Sequence, residues 1–139
     1  MEKLIKENLK QAIPFAFRIS GNLIRTAEGA SVRAVAKILA KKKVGAVIVE
    51  KTGKLVGIIS ERDIVWRVVA LGRSPDKLKA KDIMTAKVVS VDLNEGMEKV
   101  YETMSTARFR HLPVRKGDRV IGMVSTRDLM FLRKLKLAK

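Results

Sequence analysis

The chain has 139 residues, 47% apolar and 32% charged, which fits one globular domain and excludes a disordered chain. It contains no cysteine, so disulfides and thiolate zinc sites are excluded, and a reducing cytoplasm is the expected compartment. Thirty Lys and Arg against fourteen Asp and Glu give a net charge of +16. Such a field concentrates phosphorylated ligands, nucleic acid or acidic lipid nearby, unless it is simply a lysine-rich solvated surface.

The opening stretch, Met1 to Ala12, mixes apolar and charged residues without a continuous apolar run, so neither a signal peptide nor a membrane span is expected. Leu4, Ile5, Leu9, Ala12 and Ile13 predict a short amphipathic helix ended by Pro14, within an N-terminal segment of residues 1–17. A first supersecondary unit is expected over residues 18–72. It begins with a strand at Leu23–Thr26 and continues with a helix at Ser31–Lys43, whose Val32, Val35, Ala36 and Leu39 form an apolar stripe. Strands Val44–Glu50 and Leu55–Ser60 follow, split by Thr52 and Gly53, and a closing helix stops at Gly72. Residues 73–81, with Ser-Pro and four basic residues, read as an exposed linker. The second unit, residues 82–139, repeats the plan. A strand at Val88–Val91 leads to a helix at Glu95–Ala107 striped by Met97, Val100, Tyr101 and Met104. Strands Leu112–Arg115 and Val120–Ser125 then turn at Gly117 and Asp118 before a second closing helix.

The two units are copies. KLVGIISERDIVWRV at Lys54–Val68 aligns with RVIGMVSTRDLMFLR at Arg119–Arg133 at a constant offset of 65, matching Gly57 to Gly122, Ser60 to Ser125, Arg62 to Arg127 and Asp63 to Asp128. Without a gap, the same offset pairs Val35 with Val100, Val49 with Val114 and Ser20 with Thr85. The fold class is therefore α+β, built from two β-α-β-β-α units.

The repeated Gly-x-x-Ser-x-Arg-Asp lies where a strand becomes a helix. Two readings compete. Serine with aspartate three residues on makes a capping box, which closes the helix start and needs no ligand. Alternatively the helix start and Arg62 or Arg127 seat a phosphate, while Asp63 or Asp128 accepts bonds from the hydroxyls of a ribose.

With DIMT at Asp82–Thr85, RHLPV at Arg110–Val114 and GMVSTRD at Gly122–Asp128, the second copy resembles a CBS motif. The first, with GAVIV at Gly45–Val49 and GIISERD at Gly57–Asp63, resembles its partner, so that residues 18–135 are similar to a CBS pair of the stand-alone archaeal and bacterial type. The resemblance implies a pseudo-twofold pair that dimerises and binds AMP, ADP, ATP or an S-adenosyl compound between its motifs, without catalysis. It implies one site from Thr85, Val88, Arg110, His111, Pro113, Ser125, Arg127 and Asp128, and another from Ser20, Leu23, Ala46, Ser60, Arg62 and Asp63. The first copy departs from the pattern: FRIS at Phe17–Ser20 replaces DIMT, and Gly45 stands where Arg110 does, so phosphate binding is expected at the second site before the first.

The remaining features have plainer readings. His111 is the single histidine, and without cysteine no typical transition-metal site is expected. Met97, Met104 and Met130 read as packing residues, Trp66 and Phe131 as core or interface, and Lys41–Lys43 as a solvated helix end. One histidine and no P-loop leave no catalytic constellation. The leading function is thus a ligand-sensing module that acts on a protein partner, with no catalytic cofactor. The alternatives are a basic nucleic-acid-binding protein and a structural dimerisation module with degenerate sites.

Overall fold

Both repeats build a three-stranded sheet of the same design, in which a parallel first strand adds to an antiparallel hairpin. The computed structural model describes residues 23–107 and 110–126. The N-terminal segment with Ser20 and the expected second closing helix, with Arg127, Asp128, Met130 and Phe131, lie outside the described residues, as does the Met97 side chain. Packing divides the chain into two compact units, Ile24–Val88 and the residues from Val89 onward.

The first unit runs β1 (Arg25–Ala27), α1 (Val32–Lys42), β2 (Ala46–Lys51), β3 (Lys54–Ser60), α2 (Glu61–Ile64), a π-helical turn (Val65–Val69) and α3 (Ala80–Ile83). The second runs β4 (Val91–Asp92), a 3-10 turn (Leu93–Glu95), α4 (Gly96–Ala107), β5 (His111–Lys116) and β6 (Arg119–Ser125). Mixed α+β architecture is thus borne out, and so is the repeat. Val35, Leu39, Val47, Val49 and Ile59 are buried in one core, and the residues 65 positions later, Val100, Met104, Leu112, Val114 and Val124, in the other. The bulge falls at equivalent places too, Val49/Glu50 and Val114/Arg115.

Both hairpins close with two-residue turns, between Lys51 and Lys54 and between Lys116 and Arg119. Their chemistry differs. The first needs positive φ at Thr52 (50°) and Gly53 (77°), the second only at Gly117 (62°). Those sign patterns suit the two tight turns whose twist matches the flanking strands.

The stretch expected as an exposed linker is largely exposed, and its backbone is also tied to α1. At the α1 start Ser31 Oγ accepts the Ala34 N–H (3.1 Å), Leu78 O accepts the Val32 N–H (2.9 Å) and Pro75 O accepts the Arg33 N–H (3.0 Å). Helix starts carry unpaired donors, and this segment supplies acceptors for two of them. Ala80 and Ile83 then enter the first core, fully buried beside Val32. Beyond them Thr85 pairs with Ile58 of β3, its N–H donating to Ile58 O (2.9 Å) and its carbonyl accepting from Ile58 N–H (3.1 Å). Met84 lies across Gly57: a Cβ built there would stand 2.4 Å from the Met84 sulfur and 3.0 Å from its Cβ, so glycine is required by close approach.

One residue explains why the fourth strand is shorter than the expected Val88–Val91. In the first unit the Ile48 N–H donates to Ile24 O (2.9 Å), extending contact with the chain before β1. Its counterpart 65 residues on is Pro113, which has no N–H to offer, and the β4 ladder begins only at Val91 opposite Val114.

Each parallel ladder carries an ion pair of opposite polarity. Arg25 Nε donates to Glu50 Oε1 (2.8 Å), whereas at the equivalent positions Ser90 Oγ accepts from Arg115 Nε (3.2 Å), and Arg115 also pairs with Asp92 Oδ2 (3.2 Å). The Asn94 N–H, with help from the Gly117 N–H and Arg115, holds the Asp92 carboxyl below the ordinary aspartate range, against the opposing effect of its partial burial.

Candidate ligand site

Each unit makes a corner where its hairpin opens and the chain leaves the last strand. In the first, Ala46 is paired with Ser60, and Gly45 O accepts the Glu61 N–H (3.0 Å). In the second, His111 is paired with Ser125, and Arg110 O accepts the Thr126 N–H (2.8 Å) and its hydroxyl (3.3 Å). Thr126 is a residue the sequence reading missed; only its equivalence to Glu61 signals it. The hairpin register therefore gathers Ala46 with Ser60, and Arg110 and His111 with Ser125. Pro113 lies two residues along β5, buried and opposite Met123. Leu23 is half-buried just before β1. Thr85 and Val88 belong to the compact unit of the first sheet, not to the second, with Thr85 placed beside Ile58 and two residues from Ser60 along β3.

At the first corner the capping box is formed. Ser60 N–H and Oγ–H both donate to Asp63 Oδ2 (2.8 and 3.1 Å), and the Asp63 N–H donates back to Ser60 Oγ (3.3 Å). The other oxygen, Oδ1, is 3.6 Å from Arg67 Nε. Asp63 was expected to hold a ribose, and in this structure both its oxygens already face protein groups. The cap uses Oδ2, while Oδ1 has only the ion-pair contact with Arg67 and keeps lone pairs open to a further donor.

Arg62, expected at a phosphate, instead sets its guanidinium 4.7 Å from the Trp66 ring centroid. The pair is i, i+4, the spacing that brings side chains together on one helix face. Trp66 is correspondingly 61% exposed, so the core reading of this residue is overturned. The reason is the π-helical turn: it keeps Val68 buried and leaves Val65, Trp66 and Val69 outside. Met104, by contrast, is buried as a packing residue, and Lys41–Lys43 form an exposed helix end with Lys43 as the left-handed cap (φ 54°).

The corner chemistry of the two copies thus diverges at a few positions. The second has Arg110 and His111 where the first has Gly45 and Ala46, so only the second adds a cation at the strand entrance. Arg110 is exposed and His111 half-buried. Among the described residues no helix is long and apolar enough to cross a membrane.

This duplicated strand-and-helix plan has relatives. The family model for the CBS domain matches residues 19–70 and again 80–134. The chain belongs to the CBS-domain family. CBS domain-containing protein CBSX3, mitochondrial, of Arabidopsis thaliana is 37% identical over 99 residues, covering 68% of this chain and 48% of that protein. The chain spans 43–59% of the length of three curated relatives it matches. Solved structures give fuller overlap. A CBS-domain protein from Agrobacterium tumefaciens superposes with a TM-score of 0.78 at 29% identity, covering 87% of this chain and 98% of that one. A CBS domain protein from Pyrobaculum aerophilum, complexed with AMP, superposes with a TM-score of 0.75 at 30% identity, covering 84% and 89%. The second CBS match begins at residue 80, yet Ala80–Thr85 packs with the first sheet: this CBS pair gives the opening of its second motif to the core of its first.

Proposed function

We propose that this CBS pair is a regulatory module that binds AMP, ADP or ATP through its second motif and, as a homodimer, passes the binding on to a protein partner. The observation that carries the reading is the AMP complex of the Pyrobaculum aerophilum protein, which is similar over 84% of this chain. Arg110 adds support, because a guanidinium at the strand entrance offers a phosphate a charge-assisted contact. On this reading Ser125, Arg127 and Arg110 face the phosphate and Asp128 the ribose, with His111 and Pro113 beside them. The first motif contributes less, since Asp63 is engaged in its cap and Arg62 on Trp66. A phosphorylated ligand is favoured over an S-adenosyl sulfonium, whose positive charge opposes both Arg110 and the net +16. Regulation follows if the nucleotide favours one conformation of the pair over another.

Calorimetry of the full chain with AMP, ADP, ATP and S-adenosylmethionine tests this. At least one nucleotide should bind more tightly than the sulfonium. Arg110→Ala and Asp128→Ala should each weaken it by 1.5–3 kcal/mol, roughly 10- to 150-fold, the usual loss of a charged hydrogen bond. Asp63→Ala should leave affinity nearly unchanged. Absence of binding and of thermal stabilisation by every ligand would overturn the reading, since saturation at about 100 times Kd adds about 2.7 kcal/mol.

A further inference from the structure

Residues 24–88 hold fifteen Lys and Arg against six Asp and Glu, a surplus of nine out of the chain's sixteen. Several of these cations meet on one side of α1. Val32, Val35 and Leu39 turn inward, while Arg33, Lys37 and Lys41 form the exposed i, i+4, i+8 stripe opposite, continued by Lys42 and Lys43. Arg33 holds Asp76 in a two-pronged ion pair, which brings the loop after the π-helical turn, and Lys77 with it, to this same side. Lys41, Lys42, Lys43 and Lys77 have no carboxylate partner among the described residues. The partial negative charge at the α1 C-terminus is about half a unit, less than the three lysines placed there.

We propose that this ridge is a docking surface for the phosphate backbone of a double-stranded nucleic acid. Arg33 is taken up by Asp76, which leaves Lys37 and Lys41 about 6 Å apart along the helix axis, with Lys42, Lys43 and Lys77 beside them. Successive phosphates of one strand wind around the axis and so lie farther apart in space than their rise of roughly 3.4 Å, a spacing that neighbouring turns of a lysine-bearing helix suit. Other anionic partners fit less well. A lipid surface takes an apolar wedge beside the cations, and the exposed stripe of α1 has only Ala40 among its charges. Among the described residues the large exposed apolar ones, Val65, Trp66, Val69, Leu71 and Val89, lie outside α1. Single strands are held by aromatic platforms, and neither α1 nor the Arg73–Lys79 loop contains an aromatic residue. The proposal is independent of the nucleotide site.

The test is fluorescence anisotropy of the full chain with a labelled DNA duplex of about 20 bp, between about 50 and 200 mM salt. Four phosphate contacts predict a loss of affinity on the order of 10²-fold across that range. The triple variant Lys37→Glu, Lys41→Glu, Lys77→Glu should bind at least about tenfold more weakly and with a flatter salt dependence. A control with the same charge change at the hairpin turns, Lys54→Glu, Lys116→Glu, Arg119→Glu, should stay within about threefold of the parent. Circular dichroism melts check folding, and a milder Lys→Gln triple at the ridge is read the same way. Equal losses in ridge and control variants would reduce the effect to net charge and overturn the proposal. So would absence of duplex binding at the lowest salt, or tighter binding to a single strand, to phosphatidylserine vesicles or to polyglutamate.

Discussion

Substituting Gly57 tests whether the start of the second motif is truly built into the first sheet. An alanine Cβ there would stand 2.4, 2.7 and 3.0 Å from Sδ, Cγ and Cβ of Met84. The sulfur sits on a flexible side chain, but the Met84 Cβ does not, so the backbone of residues 84–85 has to give. Overpacking of this kind costs about 1–3 kcal/mol. If Thr85 leaves β3, two backbone hydrogen bonds to Ile58 are lost as well, at about 1 kcal/mol each. The lower chain entropy of unfolded alanine returns about 0.4–1 kcal/mol. The net expectation is a loss of about 0–2.6 kcal/mol if Thr85 stays on β3 and about 2–4.6 kcal/mol if it leaves, read from urea denaturation followed by circular dichroism. Two controls sharpen it. Gly29→Ala, where nothing lies within 4 Å of the new Cβ, should be neutral or slightly stabilising. The double variant Gly57→Ala, Met84→Ala should recover part of the loss, with a coupling of about 1–3 kcal/mol. If Gly57→Ala proves as harmless as Gly29→Ala, or if the two substitutions simply add, the packing of Met84 over β3 is not what requires glycine there.

Other expectations follow from single residues. Thr52 is β-branched at a φ of 50°, so Thr52→Asn should stabilise the first hairpin by about 0.5–1 kcal/mol and raise Tm by a few degrees in a thermal melt. Because the Asp92 carboxyl is held below its ordinary range in the folded state, the stability it contributes is complete above its unfolded value of about 3.9 and is lost as pH falls through the lower folded value. Acid titration of Asp92→Asn should accordingly show a shallower loss of stability below about pH 4 than the parent. Finally, Trp66 is exposed beside Val65 and Val69, so Trp66→Glu should shift a dimeric parent toward monomer in sedimentation equilibrium while leaving the melt of the fold nearly unchanged. A variant that sediments as the parent does would remove this face from the self-association reading.

Much of this CBS pair was legible before any coordinate, because its determinants are local or periodic. A constant offset of 65 predicted which residues share a role in the two cores, and the stripe spacing in α1 and α4 named the buried faces. Turn residues set both hairpin registers. Even the capping box at Ser60 and Asp63 was readable, since it depends only on residues three apart. What sequence could not decide was which of two local readings each side chain takes. Asp63 can face a diol or a helix start, and the nearby Ser60 donors and Arg67 draw it to the start. Trp66 is apolar enough for a core, but a π-helical turn rotates it outward, where Arg62 covers it.

The tertiary structure alone also decided where a segment belongs. Residues 73–85 read as a linker and a new beginning, because composition and motif both change there. Their carbonyls nevertheless satisfy the open donors of α1, and Ala80 and Ile83 fill a core that the first repeat leaves incomplete. Pro113 acts at similar range, removing one donor so that β4 starts later than its counterpart. Periodicity records how a chain repeats itself. It carries no information on which unpaired backbone group or unfilled volume, dozens of residues away, a given segment will satisfy.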